Sequence, residues 1–168
     1  MRSTSRDPGT FEEFVAATAP RMQRAAYLLC GDHHLAEDLT QATYAKVFAH
    51  WRTVSRADNP VAYTRTVLTR TFLSQRRRRS SGETPVEQLG DSRSSMPSPD
   101  SDTRLDLLAA LAELSPADRT VVVLRYWEDL SVAETARLLD LTESACRARS
   151  KRALDRLRRH FPDLSDKD

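Results

Sequence analysis

The residues of this sequence best suited to bind a polyanion lie between Ser144 and Arg159. Wound as a helix, at about 100° per residue, this segment separates into two faces. The first face is apolar or small and consists of Cys146, Ser150, Ala153, Leu154, Leu157 and Phe161. The opposite face carries Ser144, Ala148, Lys151, Arg152 and Arg159, flanked by Arg147 and Arg158. Cationic groups bind phosphates and guanine edges, and small residues allow a close backbone approach, so this face predicts contact with a DNA major groove.

Two helices joined by a short turn are expected to hold this face. Ser131 and Glu134 form an S-x-x-E capping box, which predicts the start of the first helix. Thr142 follows as the cap of the second helix. Asp140 stands in the turn, and aspartate adopts left-handed backbone conformations more readily than most residues, so the turn should form at some cost in stability. The pattern predicts a helix-turn-helix.

A second basic segment lies in the first half of the chain. Asn59-Pro60 predicts the start of a helix that runs to about Arg79, with proline at its first position. Its apolar stripe is Val61, Leu68 and Phe72, whereas its other faces carry Arg65, Arg70 and four arginines from Arg76 to Arg79. With no acidic side chain to offset these charges, the helix is expected to meet a polyanion.

The remaining helices follow from capping signals and period. Thr10 and Glu13 form a capping box for a helix that ends at Gly31, and Pro20 is expected to kink it. The next helix is predicted from His33 to Trp51, with an inward face of Leu35, Leu39, Val47, Phe48 and Trp51. In the second half, one helix runs from Asp102 to Leu114 through Leu105, Leu108, Leu111 and Ala112, and another starts at Ser115-Pro116 and ends near Trp127.

The predicted fold class is all-α, with two small helical domains and a connecting linker. Residues 80–102 are rich in serine and proline and poor in apolar residues, which is typical of a flexible linker. The boundaries follow as a disordered leader at 1–9, a first domain at 10–79, the linker at 80–102, a second domain at 103–161 and a tail at 162–168.

Charge, cysteine content and hydropathy indicate which partners and which cellular compartment to expect. The 168 residues carry a net charge of only +2, but the basic residues cluster in two places, which suggests two separate polyanion contacts. The cysteines Cys30 and Cys146 lie in different halves, which makes a disulfide unexpected and favours a reducing compartment. With neither a signal peptide nor an apolar run of membrane-spanning length, we expect a soluble, cytoplasmic protein with no membrane contact.

Two other functions are compatible with parts of the sequence. The first is a metalloenzyme, whose possible metal ligands would be Cys30, Asp32, His33 and His34. Gly31 and Asp32 are needed there to turn the chain and cap a helix, however, so no catalytic, metal or cofactor site is predicted. The stronger alternative is a helix-turn-helix regulator that acts without joining a polymerase. The first half resembles no ligand pocket, however, and such regulators normally dimerise on paired half-sites.

Three separated motifs together resemble a bacterial sigma factor of the extracytoplasmic-function type (group IV of the sigma-70 family), of an actinobacterial branch. AEDLTQATYAKVF at 36–48 is similar to sigma region 2.2, and NPVAYTRTVLTRTFLSQRRRR at 59–79 is similar to regions 2.3 and 2.4. Residues 114–158, from LSPADRT to ALDRLR, are similar to region 4. Asp140 departs from the family pattern, which usually has glycine there, and Arg70 stands where asparagine is common.

The resemblance implies a non-enzymatic partner of core RNA polymerase that directs promoter-specific transcription initiation. Region 2.2 would bind the clamp helices of the largest subunit through Asp38, Leu39, Gln41 and Lys46. Region 4 would sit on the beta flap and read the minus-35 element through Ser144, Arg147, Ala148, Arg149, Lys151 and Arg152. The minus-10 element would be captured and opened by Arg52, Asn59, Tyr63, Arg65, Thr69, Arg70, Arg76 and Arg77.

Opening the duplex would then require binding energy in favour of unpaired bases and no covalent chemistry. Extracting a base costs a few kcal/mol, which stacking on an aromatic wall and an arginine-lined backbone track can offset. Trp51 and Tyr63 flank the loop at 52–58 and are candidate walls, although core packing is the favoured role of Trp51. The resemblance also allows an anti-sigma protein clamped over both domains as a regulator.

Overall fold

The structure, a computed structural model, describes residues 9–82 and 99–161, and every regular element in these ranges is helical. The all-α prediction is thereby confirmed. Residues 1–8 of the predicted leader, the predicted tail at 162–168 and residues 83–98 of the predicted linker lie outside the described residues. The helices are α1 (Phe11–Cys30), α2 (His33–Ala49), α3 (Trp51–Val54), α4 (Pro60–Ser80), α5 (Pro99–Ala112), α6 (Pro116–Val122), α7 (Val132–Leu138) and α8 (Glu143–Arg158), with a π-helical turn at Val123–Trp127.

Local capping signals place the helix ends of the first half. The amide of Glu13 donates to the Thr10 hydroxyl at 3.3 Å, and the amide of Thr10 donates to the Glu13 carboxylate at 2.9 Å, which completes the predicted capping box. Helix α1 ends at Gly31, whose φ of 71° is the left-handed conformation that favours glycine. Asp32 then caps α2 by accepting from the Leu35 amide at 3.0 Å.

Helices α1, α2 and α4 pack around one apolar core. Its largest fully buried side chains come from all three helices and are Met22, Leu29, Leu39, Val47, Leu68 and Phe72. The second helix was predicted to reach Trp51, and this end was wrong. Helix α2 ends at Ala49, and the short α3 begins at Trp51. The predicted core role of Trp51 is confirmed, since its ring centroid lies 5.4 Å from that of Phe11 and 5.1 Å from that of Phe14.

Some inward positions were predicted incorrectly. Phe48 is 61% exposed and its ring lies against that of Phe11, with centroids 4.9 Å apart, because Val47 is the residue of this turn that faces the core. In α5, Leu105 is 57% exposed, and the helix buries Leu108, Ala110 and Leu111 instead. Helix α5 also begins at Pro99, inside the predicted linker.

The second half is built as the sequence predicts up to one local irregularity. The Ser115 hydroxyl caps α6 by accepting from the Asp118 amide at 3.1 Å, with proline next in the chain. Beyond Val122 the helix widens into the π-helical turn, where the Glu128 amide donates to the Val123 carbonyl at 2.9 Å. Nothing in the sequence pattern distinguishes this turn from an α-helical continuation.

The predicted helix-turn-helix is confirmed in detail. Ser131 and Glu134 form a reciprocal capping box, and the Thr142 hydroxyl accepts from the Ala145 amide at 3.1 Å at the start of α8. Asp140 adopts φ of 55°, as the turn requires. The adjoining amide of Leu141 donates to the Ala136 carbonyl at 2.8 Å, which satisfies one of the last carbonyls of α7.

The two halves are in contact. Val123, from the second half, is buried in the core of the first half, and Leu28 packs against the core of the second half. The Arg119 guanidinium donates to the Leu29 carbonyl at 2.7 Å across this boundary. Sequence patterns predicted both helical units but not this interface.

Candidate nucleic-acid interface

Helix α8 presents its basic side to solvent because its other side is anchored in the second half. The buried face contains Cys146, Ser150, Ala153 and Leu157, as the helical period predicts. On the outer face the exposed side chains are Ser144, Arg147, Ala148, Lys151 and Arg152. A helix with small side chains at its entry and cations on its outer face has the shape and charge to enter a major groove.

The cation at the start of this face has an exchangeable partner. Arg147 donates to the Glu143 carboxylate at 3.0 Å, one turn earlier in the helix, and both side chains are more than half exposed. An exposed pair of this kind contributes about 0.3 to 0.5 kcal/mol. Arg147 can therefore leave Glu143 for a phosphate or a base edge at little cost.

Arg149 is placed differently from its predicted companions. Its guanidinium lies 3.2 Å from the carboxylate of Asp118 in α6, and both side chains are partly shielded from solvent. This ion pair ties α8 to α6. Of the six predicted minus-35 residues, Arg149 is thus the one whose charged group is directed toward the protein.

Some of the residues predicted to contact the minus-10 element are exposed on α3 and α4, and others are not. Tyr63, Arg70 and Arg77 are exposed, and Arg52 is exposed on α3. Asn59 is committed to capping, because its side chain accepts from the Ala62 amide at 2.9 Å. Arg70 and Arg77 line the same groove, whereas the half-buried Arg76 has its guanidinium 5.5 Å from the Phe72 ring centroid; the exposed cations of α3 and α4 are called the basic surface below.

Two predicted contact residues of α4 and one of α2 are not accessible in this conformation. Thr69 is 1% exposed, and Leu39 lies in the first core with no exposed surface. Arg65 is held by the Glu128 carboxylate at 3.2 Å. Leu39 and Thr69 stand on the inner sides of their helices, so their side chains serve packing here and their predicted contacts do not fit this arrangement.

The predicted polymerase-binding residues of α2 also divide. Asp38 and Gln41 are exposed on the same helix that buries Leu39. Lys46 bridges to α4 instead, with its ammonium donating to the Thr71 hydroxyl at 2.9 Å. Asp38, Gln41 and Lys46 are thus exposed, and Leu39 is the member of this set that packing removes from the surface.

A groove of about 520 Å³ runs between the two halves. Lys46, Arg70 and Arg77 form its cationic wall, and the opposite wall is formed by Leu138 at the end of α7 and by Leu139 and Asp140 in the turn that precedes α8. The basic surface of α4 and the helix-turn-helix thus border one groove.

The possible metal ligands near Gly31 have other roles in the fold. Asp32 caps α2, and the ring of His33 stacks on Tyr27 with centroids 4.2 Å apart. Burial raises the pKa of the Cys30 thiol to about 11, in spite of the nearby Arg76 and Arg79. A thiol that resists ionisation is a poor metal ligand at neutral pH.

Two residues at the boundary of the halves, Glu128 and Arg119, have roles that the sequence pattern does not predict. Glu128 is buried, with its side chain 1% exposed, and Arg119 is a buried cation bonded to backbone carbonyls. Their partners in the first half are distant in the chain, so no local pattern signals either role.

Across residues 9–82 and 99–161, no helix combines the length and apolar character that a membrane span requires.

A capped helix-turn-helix with a basic outer face, joined to a second helical unit with an arginine-rich helix, defines an all-helical DNA-binding protein. Residues 14–82 match the family described as Sigma-70 region 2, and residues 104–157 match Sigma-70, region 4. The chain belongs to the sigma-70 family of RNA polymerase sigma factors and is of the extracytoplasmic-function type.

Named relatives and a solved structure agree with this membership. The chain is 35% identical to the RNA polymerase sigma-E factor of Streptomyces coelicolor over 148 residues, covering 88% of this chain and 84% of the relative. It is 35% identical to the ECF RNA polymerase sigma factor SigE of Mycolicibacterium smegmatis, covering 89% of this chain and 60% of that protein. The fold matches the sigma factor RpoE of Bartonella quintana, solved in complex with the anti-sigma factor NepR, with a TM-score of 0.71, 25% identity and coverage of 90% and 96%. The protein is therefore a sigma factor that binds core RNA polymerase and directs promoter-specific transcription initiation, and the regulator acting without a polymerase is not favoured.

Proposed function

We propose that the two halves divide promoter recognition between them. The second half reads the minus-35 element as duplex through the outer face of α8, using Ser144, Arg147, Ala148, Lys151 and Arg152. The first half binds the minus-10 element and the separated strands through the basic surface of α3 and α4. The observation that carries the proposal is the outer face of α8, where exposed cations surround small residues on a helix anchored by a buried opposite face.

The chemistry of each step is binding. An arginine that donates two hydrogen bonds to guanine discriminates against other bases by about 1 to 3 kcal/mol. At the minus-10 element, the exposed Tyr63 ring offers a surface for stacking a flipped base, and the arginines of α4 neutralise the backbone of the opened strands. The protein acts in the cytoplasm as a polymerase subunit without catalytic residues of its own.

Docking on the polymerase is assigned to two surfaces. Asp38 and Gln41 on α2 face outward and are proposed to contact the clamp helices of the largest subunit. The second half is proposed to rest on the beta flap. An anti-sigma protein is proposed as a further partner, which is supported by the likeness to an RpoE solved with NepR and by the basic, partly apolar groove between the halves.

The test is reconstituted transcription with purified core polymerase and a library of genomic promoter fragments. We expect the full chain to confer defined start sites, read by sequencing the 5′ ends of the transcripts. Core polymerase alone is the control. If the chain bound DNA but neither associated with the core enzyme nor changed its start sites, the proposal would be wrong and the regulator would be the better description.

A further inference from the structure

Two large aromatic residues stand next to each other on the surface of the second half. Tyr126 and Trp127 are each about half exposed. Both belong to the π-helical turn, in which the amide of Glu128 donates to the carbonyl of Val123, five residues earlier, at 2.9 Å. Turns of this kind are rare in proteins and occur frequently at functional sites. This turn therefore marks a second candidate contact surface, beside α8.

A cleft of about 270 Å³ lies between Tyr126 and α8. Its lining includes four cations and one carboxylate, which are Arg125, Arg147, Lys151, Arg158 and Asp155. The Asp155 carboxylate lies 3.7 Å from the Arg158 guanidinium, one turn further along α8. Because the cations outnumber the carboxylate, the cleft attracts an anion.

The cleft is continuous with the outer face of α8. Arg147 and Lys151 line the cleft and are also exposed on that face. A helix about 10 to 12 Å in diameter fills a major groove about 12 Å wide, so side chains on its flanks meet the phosphates that border the groove. When α8 enters the groove, we expect the cleft to lie against one backbone of the duplex.

The ring of Tyr126 is oriented by its neighbour in the chain. The Arg125 guanidinium lies 5.6 Å from the centroid of this ring, and one of its nitrogens donates to the Leu130 carbonyl. A cation is attracted to the face of an aromatic ring, and the carbonyl holds this cation in place. Arg125 thus restricts the Tyr126 ring at the edge of the cleft, which lowers the entropy lost when a ligand binds there.

We propose that the cleft binds a phosphodiester group of the minus-35 duplex and that the Tyr126 hydroxyl donates a hydrogen bond to it, while the ring packs against the adjoining sugar. This assignment rests on the proposed function and extends DNA binding to a residue outside α8. Half or more of the hydrogen bonds between proteins and DNA go to phosphate and sugar, and tyrosine is among their donors. Such contacts position a protein on the duplex and carry no base information, so Tyr126 fixes the register of α8 in the groove.

Salt dependence distinguishes this contact from those of the cations. A lysine that neutralises a phosphate releases a counterion, and its loss lowers the slope of log affinity against log salt by about 0.9. A phenol is uncharged at neutral pH, so the loss of its hydroxyl should weaken binding at every salt concentration and leave the slope unchanged. Tyr126→Phe makes this change alone, because it keeps the ring and its contact with Arg125.

The test titrates holoenzyme, formed from the full chain and core polymerase, onto a promoter duplex identified in the start-site assay. Tyr126→Phe should weaken binding about tenfold at an unchanged salt slope, as expected for the loss of a hydrogen bond to a charged group. Lys151→Ala should lower both the affinity and the slope. Tyr27→Phe removes a hydroxyl from α1, in the other half, and should match the parent.

Ethylation interference locates the contact on the DNA. Ethylation of one phosphate at the minus-35 element should weaken binding of the parent holoenzyme. The Tyr126→Phe holoenzyme should be less sensitive to that same ethyl group and equally sensitive to all others. An unchanged pattern, or parent affinity for the promoter, would refute the contact. Loss of affinity for core polymerase instead of DNA would also refute it and would assign Tyr126 to a protein interface.

Failure of the proposed function has a different result. A parent holoenzyme that selected no start site would refute that function. A phosphate contact does not depend on base sequence, so titration of the free parent and Tyr126→Phe chains onto a duplex of arbitrary sequence would still decide the role of the hydroxyl. Equal affinities of the two chains in that titration would exclude it.

Discussion

The guanidinium of Arg149 lies 3.2 Å from the carboxylate of Asp118, so one arginine of α8 is tied to α6. We expect Arg149→Ala to lower the free energy of unfolding by about 1 kcal/mol, because a partly shielded ion pair between two helices is lost. Arg152→Ala, at an exposed position of α8, should leave unfolding unchanged and weaken minus-35 duplex binding. Urea unfolding and duplex titration of both variants test whether Arg149 stabilises the fold and Arg152 binds DNA. Equal free energies of unfolding for the two variants would contradict this assignment.

The outer face of α8 should control promoter selection and leave polymerase binding intact. Replacing Arg147 and Lys151 with alanine should abolish preference for the minus-35 duplex and lower the salt dependence of its binding, by a slope of about 0.9 for each lost phosphate contact. Replacing Arg24 of α1 and Arg104 of α5 removes the same number of exposed charges from other helices and serves as the control. Loss of core polymerase in a pull-down with the α8 variant would contradict the assignment.

The exposed pair on α2 should control assembly with polymerase. Replacing Asp38 and Gln41 with alanine should lower affinity for core polymerase by roughly tenfold or more, as expected if the two lie at the centre of a contact. Binding to the isolated minus-35 duplex should not change, because α8 is untouched. Co-purification with core enzyme measures the effect, with Glu12→Ala as the control; full recovery of the α2 variant would exclude the proposed contact.

The Cys30 thiol should make the free energy of unfolding fall at alkaline pH. Its pKa is raised to about 11 by burial, whereas the exposed thiol of the unfolded chain ionises near 9.0. Above pH 9 the unfolded state therefore holds fewer protons than the folded state, and this contribution to stability is lost as the pH rises toward 11. Urea unfolding at pH 8, 9 and 10 should show a smaller decline for Cys30→Ala than for the parent.

The same shift predicts slow alkylation. At pH 8 the folded protein should react with iodoacetamide at Cys30 more slowly than the urea-unfolded chain, because burial raises the pKa of the thiol to about 11 and so lowers its thiolate fraction. Mass spectrometry of the Cys30 peptide measures the rate. Comparable rates in the two states would mean that the thiol is not shielded.

The turn between α7 and α8 carries a strained residue. Asp140 adopts φ of 55°, a conformation that glycine reaches without steric cost. We expect Asp140→Gly to raise the free energy of unfolding by about 0.5 to 1 kcal/mol and Asp140→Ala to lower it. Thermal unfolding of the two variants provides the measurement, and a stabilising alanine would show that the backbone is not the source of the cost.

The sequence by itself determined the helical fold, most helix limits and the two faces of α8. Each depends on groups within about one helical turn of each other, such as the reciprocal bonds of Ser131 and Glu134 or the cap at Thr142. The three separated motifs could also be recognised from the sequence alone, and they identified the family. These features are local, so residue type and spacing are sufficient to predict them.

Only the tertiary structure decided which predicted contact residues are accessible and how the halves meet. Leu39 and Thr69 are buried because neighbouring helices cover them, whereas Phe48 stays 61% exposed although its ring lies against Phe11 of α1. The pairing of Glu128 with Arg21 and Arg65 joins residues distant in the chain. Such contacts depend on the packing of whole helices, which neither spacing nor composition encodes at the residues themselves.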